Sequence, residues 1–318
     1  MHWLLLLLLL VGCTKPAAMV VPQDAAPVVE AGTGCVPWNY EEGCLPKTTA
    51  HATPKDAGIP EISRYGSVFD LVGGRIVNIK AAAAKLDGYT ILPNETFSFN
   101  QVVGIRTAKN GYVDAPVLLQ GRRTQDLGGG VCQVSSTLHA AAINSGLTIV
   151  ERRPHSLVPK YIDPGFDATV AFPASCEVPN GPCEKLDLKI RNPFDMPIMI
   201  HTAVTEGESE GVIKGHLNVV IHGLAPQYKV DVRRQTEQMG RGGRRWVRSG
   251  RNLSASYVAV VQQKGEGYFV RCTATYYDLD TAAVVREFKW FSRYPPVDEV
   301  WEVGYLRPED AGAPWGGP

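Results

Sequence analysis

The sequence predicts an α+β protein in which a cysteine-bearing central helix packs on a mostly antiparallel sheet, followed by a smaller β-rich domain. Three observations carry this expectation. Apolar residues recur at helical spacing in two stretches, through Phe69, Val72, Ile76, Ile79, Ala83 and Leu86, and through Val134, Leu138, Ala141, Ala142 and Ile143. Between and after them lie short runs of alternating character bounded by Pro, Asn and Gly, the pattern of strands that bury one face. From about residue 226 only strand-like runs remain. Helices among antiparallel strands make an α+β domain. A chain of 318 residues holds one large domain or two ordinary ones. The expected boundaries are 61–225 for the first and 226–305 for the second, with a Pro/Gly/Ala-rich tail at 306–318 read as disordered.

At the start of the chain, Leu4 to Leu10 form an unbroken leucine run extended by Val11. It is too short to span a bilayer and has the length of a signal-peptide core. The run ends in Leu10-Val11-Gly12-Cys13, which resembles the bacterial lipobox. Residues 1–12 are therefore expected to be removed and Cys13 to carry a lipid. Thr14 stands where Asp would retain a lipoprotein at the inner membrane, so the pattern resembles an outer-membrane address in a bacterium with two membranes. Residues 13–60, rich in Ala, Pro, Gly and Thr, read as a tether. The expected location is the bacterial cell envelope, on the periplasmic face, anchored to a membrane rather than spanning it.

The first helix is expected over Val68–Asp87, ended by Gly88. Leu92–Asn100 reads as a turn and strand, and Gly111–Leu119 as another strand. The cysteine-bearing helix follows, with Gly146 as its C-cap. Thr148–Arg152 is a short strand, and Leu186–Ile190 with Ile198–Thr202 reads as a hairpin joined through Asn192-Pro193. Beyond 226 the expected strands are Tyr228–Arg233, Ser256–Gln262, Gly267–Tyr277 and Val284–Phe291. The arginines between the first two, Arg241, Arg244, Arg245, Arg248 and Arg251, read as a solvated loop, with contact to an anionic wall polymer or lipid headgroups as the sharper alternative.

Lys+Arg and Asp+Glu balance at 32 each, so charge gives no argument for nucleic acid. Of seven cysteines, Cys35 with Cys44 and Cys176 with Cys183 are spaced as candidate disulfides for an exported chain. Cys272 is left over in a strand-like run as a buried free thiol. There is no CxxC and no HxxxH, so no metal site is expected.

The chemistry is concentrated in Gly128-Gly129-Gly130-Val131-Cys132-Gln133. Three glycines let the backbone turn sharply, and Cys132 then falls in the first turn of a helix. Unpaired N–H groups and the positive end of the dipole favour a thiolate there. The N–H groups of Gly129 and Gly130 could hold an oxyanion, and the Gln133 side chain is a further candidate donor. A histidine downstream of the cysteine is the candidate base, and Asp167 or Asp126 the group that would orient it; spacing does not choose between them. Arg152, with Arg153, is a candidate receptor for a substrate carboxylate. His139, about two helical turns past Cys132, is a further residue near the site.

Longer blocks make a specific resemblance. Pro93–Asn100, Gly111-Tyr112, Asp126–Leu138, Glu151–Ser156, Gly165–Val170 and Asp187–Asn192, in that order, resemble the VanW family. The resemblance spans roughly residues 60 to 205. It implies a cysteine L,D-transpeptidase acting on peptidoglycan stem peptides, without a cofactor, with Cys132 as nucleophile and His155 as base. Two other functions fit the same residues: a cysteine peptidase or amidase of wall peptides, and a wall-binding lipoprotein in which Cys132 and His155 are structural.

Overall fold

The computed structural model describes residues 58–304, apart from 120–121, 178–182, 184, 210, 225–227 and 250–255. The expected signal peptide, the lipidated Cys13, the tether, the Cys35–Cys44 pair, Arg251 and the C-terminal tail lie outside the described residues. In chain order the first elements are β1 (Glu61–Phe69), α1 (Arg75–Leu86), β2 (Tyr89–Ile91), β3 (Thr96–Ser98), α2 (Phe99–Val103), β4 (Asp114–Leu119), β5 (Arg122–Leu127), α3 (Val131–Asn144) and β6 (Thr148–Glu151). Then follow β7 (Lys189–Arg191), β8 (Ile198–Ser209), β9 (Val212–Gly223), β10 (Tyr228–Arg241), β11 (Arg244–Arg248), β12 (Val258–Gln262), β13 (Glu266–Asp278), β14 (Val284–Tyr294) and β15 (Glu299–Val303).

The α+β expectation is corrected. Of the described residues 50% are in strands and 17% are helical, in three α-helices and two short 3-10 turns, so the protein is mostly β. Several sheets share the core instead of one sheet under a central helix. They run β1-β9-β8-β2, β3-β7-β6, β4-β5, β10-β13-β14 and β11-β15-β12. Their pairings are antiparallel except β11 with β15.

Four local expectations change with it. The first helix begins at Arg75, because Phe69 ends β1 and Gly73-Gly74 break the pattern between them. β1 escapes a hydrophobic periodicity because two of its three buried residues are serines, Ser63 and Ser67. The expected hairpin is absent: β7 pairs with β3 and β6, while β8 pairs with β2 and β9. Asn192 marks the crossing, donating from Nδ2 to Ile91 O at 3.0 Å and Met196 O at 2.8 Å. The arginine segment is strand, with Arg241 paired to Glu266 and Arg244 to Glu299.

Helix α3 is buried at twelve of its fourteen residues. Burying so many hydroxyls requires partners, and each finds one. Ser136 Oγ donates to Cys132 O at 2.6 Å, Thr137 Oγ1 to Gln133 O at 2.7 Å, and Ser135 Oγ to Ala168 O at 2.7 Å. Ser63 of β1 donates to Ala141 O at 2.8 Å, which fixes the helix against that strand. At the C-terminal end of α3, where carbonyls lack helical partners, the Tyr276 hydroxyl of β13 donates to Ile143 O at 2.9 Å. Arg286 of β14 donates to Gly146 O at 2.8 Å.

Candidate active site

Cys132 is the second residue of α3, directly after a glycine turn built to a tight tolerance. Gly128 and Gly130 have φ of 84° and 108°, in the left-handed region that favours glycine. Gly129 is required for another reason. A Cβ there would stand 2.6 Å from Ala115 O and 2.7 Å from Pro116 O, so β4 passes against the bare backbone. The fully buried Asn78 of α1 clamps this turn. Its Nδ2 donates to Val113 O at 2.9 Å and Gly129 O at 3.0 Å, and its Oδ1 accepts from Val113 N at 2.9 Å. Cys132 is a half-buried residue of the first helical turn, and as a thiol it donates to Val170 O at 3.3 Å.

His155 and Asp167 meet beside it. Asp167 Oδ2 accepts from the His155 backbone N–H at 2.6 Å and lies 2.8 Å from Nδ1. Nδ1 therefore carries a proton toward the carboxylate, and Nε2 is the nitrogen left to exchange one. The Tyr161 hydroxyl lies 3.4 Å from Nε2. Asp167 Oδ1 accepts from Arg152 Nη2 at 2.8 Å and from the Tyr294 hydroxyl. Arg152 also binds Asp167 O, Gly165 O and Ser292 Oγ. The carboxylate is fully buried, and these donors offset its desolvation.

The charges follow from this arrangement. Burial alone would raise the Cys132 thiol, but the hydrogen bond and positive charge of His155, with the charge of Arg106, outweigh it and lower the pKa. Burial would keep His155 neutral, yet Asp167 and Cys132 raise it to about 9. Burial opposes the Asp167 charge as well, and His155 and Arg152 hold it at about 2. At neutral pH His155 is therefore an imidazolium and Asp167 a carboxylate, set beside a thiol whose ionisation they favour, an arrangement suited to nucleophilic chemistry.

Several residues named from sequence do other work. Asp126 is exposed on β5 and accepts from the Leu127 N–H at 2.8 Å; the acid at His155 is Asp167. Gln133 is not an oxyanion donor. Its Nε2 is committed to Ser67 Oγ at 2.8 Å and Val68 O at 3.3 Å, and its Oε1 accepts from Arg75 at 2.7 Å. Arg152 is spent on Asp167 and its neighbours and has no fork free for a substrate, while Arg153 is exposed. His139 turns away, with Nδ1 2.8 Å from Phe166 O and its ring edge-on to Trp290; burial lowers its pKa to about 4, so it is neutral. Cys176 and Cys183 form a disulfide, and Cys272 is a buried free thiol raised by burial to about 11. Sequence reasoning passed over Arg75, Arg106, Tyr161 and Tyr294. Tyr161 follows His155 by only six residues, but Tyr294 meets Asp167 across 127 residues and leaves no local signal.

Comparison with known proteins falls on the same region. A model described as VanW like protein matches residues 74–213, which include Cys132, His155 and Asp167. The chain is 44% identical over 141 residues to "Uncharacterized protein YoaR" of Bacillus subtilis (strain 168), covering 44% of this chain and 43% of that protein. It is 31% identical over 151 residues to "Vancomycin B-type resistance protein VanW" of Enterococcus faecalis (strain ATCC 700802 / V583), covering 47% and 53%. The chain thus spans about half the length of these relatives. The segment 74–213, which holds the glycine turn, the cysteine and its two partners, matches the VanW family.

Proposed function

We propose that this is a cell-envelope protein that acts on peptidoglycan stem peptides through a Cys132 thioester, transferring the acyl group to an amine as an L,D-transpeptidase does. The observation that carries the reading is the Cys132–His155–Asp167 constellation at the first turn of α3. The envelope setting is supported by the name of the enterococcal relative, a vancomycin resistance protein, and by the lipobox-like Leu10–Cys13, through which the chain would be anchored.

In this reading the thiolate attacks a stem carbonyl, forming a C–S bond and an oxyanion that faces the helix-end N–H groups. Collapse breaks the amide C–N bond, and the His155 imidazolium gives its proton to the leaving amine. An amine from a second stem then attacks the thioester and loses a proton to His155. A new C–N bond forms, the C–S bond breaks, and the thiolate returns. Asp167 keeps the imidazole oriented throughout.

The experiment is incubation of the protein with purified muropeptides, followed by intact-protein and product mass spectrometry. The expected results are a Cys132 acyl adduct and new cross-links, both lost in Cys132→Ala. His155→Ala should slow the reaction by roughly a hundred to ten thousandfold. Shortened stems without cross-links would make the protein a hydrolase, and neither product nor adduct would leave a wall-binding protein.

A further inference from the structure

Arg75 opens α1, and its Cγ lies 3.0 Å from where a Cβ on Gly130 would stand, so its stem runs along the turn that carries Cys132. Its guanidinium donates to Gln133 Oε1 at 2.7 Å, on the residue after the cysteine. It also stands over the Tyr161 ring, 5.7 Å from the centroid, and the Tyr161 hydroxyl reaches His155 Nε2. The cation is thus tied on one side to the helix end that carries the sulfur and on the other to the base.

None of these partners neutralises it. Arg152 has Asp167 at 2.8 Å, and Arg106, the third arginine near Cys132, is held by Gly104 O and Asn100 Oδ1. Arg75 has no carboxylate within ion-pair distance among the described residues; Asp70, five positions earlier, is taken by Lys214. A half-buried guanidinium held by a neutral amide and an aromatic face, with Cys132 and Asp70 acting on it only from beyond ion-pair distance, is oriented and incompletely compensated. The adjoining starts of α1 and α3 add partial positive charge from their helix dipoles. Such a place favours an anion, and a fork favours a carboxylate.

We propose that Arg75 receives a carboxylate of the acyl donor, so that the peptides reaching Cys132 are anionic and bear a free carboxylate close to the carbonyl attacked. This rests on the acyl-transfer reading of the same site. It moves substrate recognition from Arg152, whose donors are committed to Asp167 and its neighbours, to Arg75 beside the glycine turn.

The test compares two small alkylating agents at Cys132, anionic iodoacetate and neutral iodoacetamide, by mass mapping over time. Dividing the first rate by the second cancels any change in the thiolate itself. In Arg75→Gln this ratio should fall roughly tenfold, the worth of one charge-assisted contact. Arg75→Lys should lie between, since lysine keeps the charge and loses the fork. A ratio equal to wild type in an Arg75→Gln protein with an unchanged melting curve overturns the proposal. A second measurement uses the wild-type protein. A stem tetrapeptide should slow iodoacetamide, and the same peptide with its carboxylates amidated should not; equal protection also overturns it. A reduced ratio with no acyl adduct from any peptide would remove the transferase reading and leave the carboxylate site standing. An acyl adduct with an unchanged ratio would do the reverse.

Discussion

The Tyr294 hydroxyl donates to Asp167 Oδ1 while accepting from the Gly165 N–H at 2.8 Å, so the end of β14 fixes the acid that orients His155. Two more inward residues of the same strand help. Ser292 Oγ accepts from Arg152 at 2.8 Å, and Trp290 Nε1 donates to Gly165 O at 2.7 Å. The family match ends at residue 213, so the shell of Asp167 is completed by chain beyond it.

Tyr294→Phe removes a donor from a buried carboxylate and an acceptor from a buried N–H in one step. The expected loss is about 1–3 kcal/mol, read from urea unfolding midpoints. Cys132 alkylation near neutral pH should slow as well, because a less firmly held Asp167 supports the imidazolium less well. A variant as stable and as reactive as wild type would show that the contact contributes nothing.

Acid should destabilise the protein in two separate windows. His139 is buried and neutral, with a pKa lowered from 6.5 to about 4 by burial and the charge of Arg152. Its contribution is present above 6.5 and lost as pH falls through 4, about 3 kcal/mol in all. Asp167 is lowered from 3.8 to about 2, so its contribution of about 2 kcal/mol is present above 3.8 and lost as pH falls through 2. Urea unfolding from pH 7 to 3 measures the first window, and His139→Gln should flatten it. On the alkaline side the raised His155 loses stabilisation as pH rises while the lowered Cys132 gains it, so the acid side is the cleaner test.

What sequence made visible was the local part of this site. The glycines, the helix start and the cysteine are contiguous, and their conformational demands are specific enough to read directly. His155 and Asp167 were visible as residue types with suitable chemistry, but the choice of Asp167 over Asp126 depended on β5 carrying Asp126 out to solvent. The misread parts share a physical cause. Two of the three buried residues of β1 are serines whose hydroxyls serve α3, so hydrophobic periodicity sees no strand there. Arg75 and Arg152 look alike in sequence; their environments differ only because Asp167 folds back onto Arg152 alone.

The two free thiols among the described residues should differ sharply in reactivity. Cys132 is half-buried with a lowered pKa, whereas Cys272 is 1% exposed and raised to about 11. Brief iodoacetamide treatment at pH 6.5 to 7 should label Cys132 and leave Cys272 untouched until the protein is unfolded. In His155→Gln the labelling of Cys132 should shift to higher pH, since the imidazolium is the main stabiliser of the thiolate. Equal labelling of the two cysteines, or a profile unmoved by His155→Gln, would remove the ion pair.

Gly129→Ala tests the turn that presents the nucleophile. Its backbone is in a region any residue can adopt, so the cost arises from packing alone. The new methyl would meet Ala115 O at 2.6 Å, Pro116 O at 2.7 Å and Ala115 C at 2.8 Å, all main-chain atoms with no side-chain freedom to move aside. β4 would have to retreat and carry Val113 with it, loosening the Asn78 clamp that holds the start of α3. Overpacking of this kind costs about 1–3 kcal/mol, and Cys132 should alkylate more slowly as its helix end moves from His155. Gly211→Ala is the control: at φ 76° with nothing within 4 Å it is strained but distant, and should lose some stability with Cys132 reactivity unchanged. If Gly129→Ala and Gly211→Ala are equal in both stability and alkylation rate, the close passage of β4 does not position the cysteine.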